Sequence, residues 1–410
     1  MAFGDCRDDT ALRTAWQGFC ERLREAGEYV FKDYNPPTPL HRADAFRFLT
    51  QNLGQAFDLA YETKHTKFPV IHAFCTPFCK LGGDNADFVY QQAWIDGDSV
   101  YKIRGNRGTV PFLNFTVQGP RPEKQPGTEW PSLHEPFGDI PEANLFGHQL
   151  DTAWDGSFEL IVGGTPCASN WLPTTPGSRK LFIRQGFDKW SEIPARFRIE
   201  RIGMTGPRPM PSPEDMMAAM DWAASFLKTM MNDWPDHPFK YTTARFNDWL
   251  NQFPPLPADA PGSGTRRGRA ITNMAWALER DEALIIEFDN HRGLWMLTNM
   301  GAFMTSMDYL YRPVSYTPGR TKVDSDGKVR LILCHEDPGY HNWMDTQGLE
   351  RGNVTYRSLL SDEVAVLRTR LVKRSELTAA LPPDCVKVSQ EERTAQMMDR
   401  FHGIQLRYTL

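Results

Sequence analysis

The densest set of side chains able to move a proton is Cys334-His335-Glu336-Asp337, followed closely by His341, Asn342 and Asp345. An imidazole changes charge near neutral pH, and a neighbouring carboxylate can orient it. His335 is therefore read as the proton carrier, with Glu336 or Asp337 as its partner. The run leaves the end of an apolar stretch, Val329 to Leu333, and a rigid scaffold presents its chemistry where strands end. The competing reading is a plain turn, because Asp337-Pro338-Gly339 is turn composition whatever surrounds it. A second set, Arg104-Gly105-Asn106-Arg107-Gly108, places two guanidinium groups beside glycines, where they could grip a carboxylate, a phenolate or a phosphate. A surface or inter-strand salt bridge is the alternative role. A tyrosine such as Tyr90 or Tyr316 would contact a phenol or carbonyl. The expected catalytic residues are thus His335, Glu336, Asp337, Arg104 and Tyr316, and the expected substrate contacts are Tyr90, Arg107, His341 and Asp345.

Other chemistries lack their signatures. No Gly-x-Ser-x-Gly elbow, phosphate-binding loop or His-Glu-x-x-His occurs. Gly262-Ser263-Gly264 lies in a Pro/Gly-rich stretch and not between a strand and a helix, so it is no dinucleotide fingerprint. His72-x-x-Cys75-x-x-x-Cys79 offers three metal ligands at a spacing that is not standard for zinc, and His335 and His341 with Glu336 or Asp337 make an N/O set. The expectation is no organic cofactor and no metal.

The elements that must position these residues repeat. Trp154-Asp155-Gly156 opens the apolar run Phe158 to Val162 and leads to Asn170-Trp171; Asp326-Gly327 opens Val329 to Leu333 and leads to Asn342-Trp343. Two related β units follow from this self-similarity. Because both copies keep the Asn-Trp pair, it is read as structural, the Trp anchoring a loop and the Asn amide satisfying backbone groups. Asn106 and Asn299 are read as structural on the same comparison. The first copy has Gly163 to Ala168 where the second has the His335 cluster, so the cluster is not required by the β unit.

Around the repeats the sequence predicts a mainly β fold with helical additions, built from two β-sandwich or jelly-roll-like units. Residues 1–65 read as a helical segment, 66–205 as the first unit, 206–270 as a helix and Pro/Gly linker, 271–375 as the second unit and 376–410 as a tail with a helix. Val89 to Ile95, Asp96-Gly97 and Val100 to Arg104 read as a hairpin. Ser212, Pro213 and Asp215 punctuate a helix start, and the methionine stripe from Met216 to Met230 is read as core.

Among 410 residues, 46 basic side chains stand against 51 acidic ones, a net charge of −5, so no global field would draw nucleic acid or anionic membrane. No apolar run is long enough to span a bilayer. The N-terminal residues do not read as a secretory signal. Seven scattered cysteines suit reduced thiols and a cytoplasmic setting. Homo-oligomerisation is left open.

Four segments, Lys80-Leu81-Gly82-Gly83-Asp84-Asn85, Tyr101 to Thr109, Ser169-Asn170-Trp171-Leu172-Pro173 and Asp337 to Thr346, resemble bacterial proteins of the domain-of-unknown-function family numbered 1214, over about residues 42 to 373. The resemblance implies β-sandwich or jelly-roll-like units with helical additions, and points to catabolism of steroids, terpenoids or aromatic compounds. The expected function is a cofactor-independent catabolic enzyme for a hydrophobic aromatic or alicyclic small molecule, a lyase-type elimination by acid/base catalysis. A hydrolase, metal-assisted or not, and a non-catalytic small-molecule or carbohydrate-binding protein are the alternatives.

Overall fold

Short strands of alternating polarity and many turn residues fold here into four sheets, arranged as two like pairs. The computed structural model describes residues 6–121, 139–234, 249–254, 270–361 and 365–409. Gly262-Ser263-Gly264 and residues 255–269 of the expected Pro/Gly linker lie outside them.

The first unit contains β1 (His72–Cys75), β2 (Phe88–Trp94), β3 (Tyr101–Asn106), β4 (Phe112–Pro120), β5 (Asp139–Phe146), β6 (Ser157–Val162), β7 (Trp171–Leu172), β8 (Lys180–Gly186) and β9 (Arg196–Arg201). One sheet runs β1-β2-β8-β4-β5 and its partner β7-β6-β3-β9. The second unit contains β10 (Ala270–Ala277), β11 (Glu282–Asp289), β12 (Leu294–Met300), β13 (Ser315–Tyr316), β14 (Lys328–Cys334), β15 (Trp343–Asp345), β16 (Arg351–Leu359) and β17 (Arg368–Lys373). Its sheets run β10-β16-β12-β13 and β15-β14-β11-β17. The orders β2-β8-β4 and β10-β16-β12 correspond, as do β7-β6-β3-β9 and β15-β14-β11-β17. The short strands β7 and β15 pair in parallel in both units. The duplication legible in the Asp-Gly and Asn-Trp segments therefore extends to the topology.

The Asn-Trp pairs do the same work twice. Asn170 donates to the Asp151 carbonyl and accepts from the Asp151 amide, while Trp171 Nε1 donates to the Gly163 carbonyl. Asn342 makes the same exchange with Lys322, and Trp343 Nε1 donates to the Cys334 carbonyl. These bonds tie the loop backbone to the unit at the same point in each copy.

One expectation is corrected. β2 and β3 do not form a hairpin: β2 pairs with β1 and β8, whereas β3 pairs with β6 and β9 in the opposite sheet. Asp96-Gly97 turns a corner between layers. Gly97 is packed so tightly that a Cβ would fall 1.8 Å from the Thr175 carbonyl oxygen.

Period-2 alternation then sorts the side chains. In the first unit Val89, Leu113, Phe115, Val117, Leu181 and Ile183 point into the sandwich core. Their neighbours Phe88, Tyr90 and Phe112 point the other way and join Leu294, Met296 and Leu359 of the second unit in a separate cluster. Helices α1 (Asp9–Glu28), α2 (Pro39–Phe57) and α3 (Pro213–Lys228) contribute Phe19, Phe48, Leu49, Ala223 and Leu227 to that cluster, and Met230 joins it from the turn after α3. Of the stripe, Ala223, Leu227 and Met230 are core and Met220 packs against it, while Met216 is only partly buried. Thr38 caps α2 with Pro39 behind it, and Ser212 and Asp215 cap α3 reciprocally.

The closing helix α4 (Gln390–Tyr408) carries buried arginines. Asp87, just before β2, is fully buried, and Arg320 Nη2 and Arg407 Nη1 lie 2.5 and 3.5 Å from its Oδ1. Arg320, Arg400 and Arg407 all lie over the Trp190 ring, at 4.0, 4.9 and 4.7 Å from its centroid. Burial pushes the Asp87 carboxyl up, but Arg320, Arg407 and Arg400 together hold it below the usual carboxylate range.

Asp87→Ala leaves these guanidinium groups buried without their anion, and is expected to cost about 3–5 kcal/mol in urea denaturation. The pH dependence has a definite sign. Because the folded carboxyl titrates below its unfolded value of about 4, its contribution is complete above that pH and disappears as pH falls through the lower folded value. Asp87→Asn should flatten the acid limb of the stability profile; an unchanged limb would assign acid sensitivity elsewhere.

Candidate ligand-binding cavity

The expected site residues are each used by the scaffold, and they do not converge. His335 places Nε2 3.1 Å from the Leu278 carbonyl and Nδ1 2.7 Å from Thr346 Oγ1. Glu336 is exposed and pairs with Arg374, which holds its carboxyl below the usual range. Asp337 accepts two bonds from Arg393 of α4, at 2.9 and 3.1 Å. His341 Nδ1 lies 3.0 Å from Asn342 Oδ1. Asp345 pairs with Arg312 at 2.6 Å, and Tyr316 donates to the His341 and Trp343 carbonyls. On the first unit Arg104 bridges Glu159 and Glu200 on an exposed sheet face, and Arg107 donates to the Gly147 carbonyl. The polar run from Glu336 to Asp337 is absent from the first copy for a physical reason. Its partners Arg374 and Arg393 belong to the C-terminal segment, which docks on the second unit. Among the described residues no group of three or more His, Cys, Asp or Glu side chains is placed to hold a metal ion.

Tyr90 is the exception. It lines a cavity of about 420 Å³ between the outward faces of sheets β1-β2-β8-β4-β5 and β10-β16-β12-β13. Register builds the first wall. Tyr90, Arg184 and Asn114 lie on one rung across β2, β8 and β4, and so share a face. Phe88 and Phe182 lie two residues away along β2 and β8 and face the same way. The Tyr90 ring stacks with those of Phe88 and Phe182, at centroid separations of 5.5 and 6.1 Å. Phe74 and Phe112 complete this aromatic side. The second wall is Ile271 and Asn273 of β10 with Thr355, Arg357 and Leu359 of β16, alternate residues of adjacent strands.

Leu81-Gly82-Gly83-Asp84 forms the edge where the halves meet. The Gly83 amide donates to the Met304 carbonyl at 2.6 Å, and buried Lys80 donates to the carbonyls of Ser306 and Met307. Asp84 accepts from the Ser306 amide at 2.6 Å and from its hydroxyl at 2.5 Å. Trp234 follows a widened last turn of α3, Thr229–Asp233, and rests on Gly82. A Cβ at Gly82 would fall 1.5 Å from Trp234 Nε1, so the closeness of this indole requires glycine there.

The polar groups in this cavity are few and specific. Arg357 donates from Nη1 to the Tyr90 hydroxyl oxygen at 3.1 Å, and from Nη2 to the Gly83 carbonyl. Arg184 donates to Asn114 Oδ1 at 2.7 Å and lies near the Phe112 and Phe182 rings. The Nε of each arginine is buried without an acceptor. Burial lowers the Arg184 pKa to about 10, with nearby Arg357 pushing the same way against Tyr90. Burial also raises Tyr90 and Asp84, each only partly offset by cationic neighbours. An arginine can only donate, so the Tyr90 oxygen accepts from Arg357 and its own proton is available for a ligand oxygen.

Sequence reasoning found Tyr90 but missed Arg184, Arg357, Asp84 and Trp234. Part of the signal was present, because Lys80 to Asn85 is one of the segments that carry the family resemblance. The chain is similar to a putative uncharacterized protein from Burkholderia cenocepacia, at 29% identity and a TM-score of 0.78, over 91% of this chain and 99% of that one. A Vibrio parahaemolyticus protein matches at 12% identity and a TM-score of 0.43, over 80% and 98%, a likeness that carries no argument. No protein-family model and no curated protein matches the chain.

Proposed function

We propose that the chain binds a hydrophobic aromatic or alicyclic small molecule in the cavity between its halves and transforms it by proton transfer, as a lyase-type elimination without an organic cofactor. The observation that carries the reading is the cavity itself. Six aromatic side chains and a few convergent polar groups make the lining expected of a small-molecule site, and about 420 Å³ admits a two- or three-ring compound. In the elimination, Asp84 takes a proton from carbon, the carbon–oxygen bond breaks as the double bond forms, and Tyr90 gives its proton to the leaving oxygen. Burial raises the basicity of Asp84, which suits a base, and each carboxylate oxygen keeps a lone pair beyond its bond from Ser306. Arg357 stabilises the negative charge left on Tyr90. The segments resembling the family numbered 1214 support membership in it, and one of them borders this cavity. No helix among the described residues is long and apolar enough to cross a membrane. All seven cysteines are free, which fits the reducing cytoplasm in which we place the chain. A binding protein without turnover is the second reading, favoured because Ser306 already engages both oxygens of the one carboxylate among the described lining residues.

The uncharged fluorophore N-phenyl-1-naphthylamine should brighten on binding wild-type protein. Phe182→Trp, which fills the space, should weaken that binding at least about tenfold, while His335→Ala leaves it unchanged; each tenfold step is about 1.4 kcal/mol. A probe indifferent to Phe182→Trp would remove the cavity from consideration.

Mass spectrometry of aromatic and alicyclic hydroxy compounds incubated with the protein separates the two readings. Tyr90→Phe should abolish product formation, by about a hundredfold or more, and spare binding of the uncharged probe. Binding with no product from any compound would favour the non-catalytic reading.

A further inference from the structure

We propose that the ligand of this cavity is an acid: an aromatic or alicyclic frame bearing one anionic oxygen group, held between Arg184 of the first unit and Arg357 of the second. The inference rests on the cavity being a ligand site, and adds the charge of what it takes.

Three observations carry it. Arg184 and Arg357 lie in separate sheets on opposite walls of one cavity, and among the described residues neither forms an ion pair with a carboxylate. The other cation lining the space, Lys180, lies 2.8 Å from Asp139, a carboxylate it shares with Arg179. Asp84 is near enough to Arg357 to influence it, but Asp84 is also the acid facing buried Lys80, and Ser306 holds both its oxygens. The walls therefore hold an excess of positive charge. Two like charges facing across an apolar space repel with little screening, and the buried Nε–H of each arginine lacks an acceptor, a costly state for a buried donor. A single anionic group between them would offset that repulsion, because guanidinium donors match the oxygens of a planar oxyanion.

The duplication explains how the pair arises. Gly186 of β8 sits opposite Phe112, the first residue of β4, and Leu359 of β16 sits opposite Leu294, the first residue of β12. Arg184 and Arg357 each lie two residues before those positions. They are the same place in the repeat, one from each half.

The test compares two fluorophores of one aromatic frame, 8-anilinonaphthalene-1-sulfonate and uncharged N-phenyl-1-naphthylamine, titrated into the full chain. Wild type should bind the anion at least about tenfold more tightly. Arg184→Met and Arg357→Met should each erase that preference while leaving the uncharged probe within about twofold. The ligand-free Arg184→Met protein should melt no lower than wild type, because an unpaired buried charge is removed. Equal or weaker binding of the anion by wild type would overturn the inference and leave the apolar cavity standing, whether or not a variant folds. Loss of binding by both probes, or binding insensitive to Phe182→Trp, would instead overturn the cavity as the site.

Discussion

The molecule depends on one buried carboxylate. Asp87 stands where the chain enters β2, and its counter-charges come from elsewhere: Arg320 from the second unit, Arg400 and Arg407 from the closing helix α4. Guanidinium groups stacked on Trp190 of the first unit complete the joint. None of these partners is close to Asp87 in sequence, so the arrangement exists only when both units and α4 are in place. A buried ion pair adds little net stability compared with apolar packing, but breaking one is costly. The carboxylate therefore acts mainly on geometry, fixing one relative placement of the halves. The gap between the outward faces of the two sheets has a definite shape because of that placement.

The same logic explains why so much conspicuous polarity is taken up in ion pairs of the scaffold. Glu336 and Asp337 looked like chemistry because the first repeat lacks them. They are where the C-terminal segment attaches, through Arg374 and Arg393. A difference between repeats reports any asymmetry between the units, and one asymmetry in this chain is that α4 docks its Arg393 against the loop after β14. Arg184 and Arg357 are the opposite case: they repeat, point out of the sandwich cores and lack a carboxylate partner among the described residues.

Much of the fold was legible because it is local. Alternation marked most strands, Asp-Gly and Asn-Trp marked the repeat, and Ser212 with Asp215 marked the start of α3. The false hairpin at Asp96-Gly97 shows the limit, since two strands joined by a short turn can belong to different layers when the turn is a packed corner. The cavity was not legible for a related reason. Tyr90, Arg184 and Arg357 are brought together by strand register and by the meeting of two sheets, and no sequence spacing records either. Arg184 sits in a strand whose other residues read as ordinary alternation, and nothing local separates it from a surface arginine. Only Lys80 to Asn85 carried a mark, because glycines and polar groups crowd where one half must bond to the backbone of the other.

Duplication also supplies a reason for the cavity to be where it is. Each unit buries one sheet face in its own sandwich core and leaves the other needing cover. When two such units are joined in one chain, the uncovered faces meet, and being copies they bring similar groups to similar places. Apolar side chains can accommodate this by packing, as Phe88, Phe112, Leu294 and Met296 do within one cluster. Charged side chains cannot, because an arginine at a repeated position meets its own counterpart. Selection can remove such a pair, give it an acid, or keep it for an anion that comes from outside. In this chain neither arginine has been replaced or given a carboxylate ion-pair partner among the described residues, and space remains between them. The third course is the one these observations favour, and it makes an acidic ligand a bridge between the halves as well as their common guest.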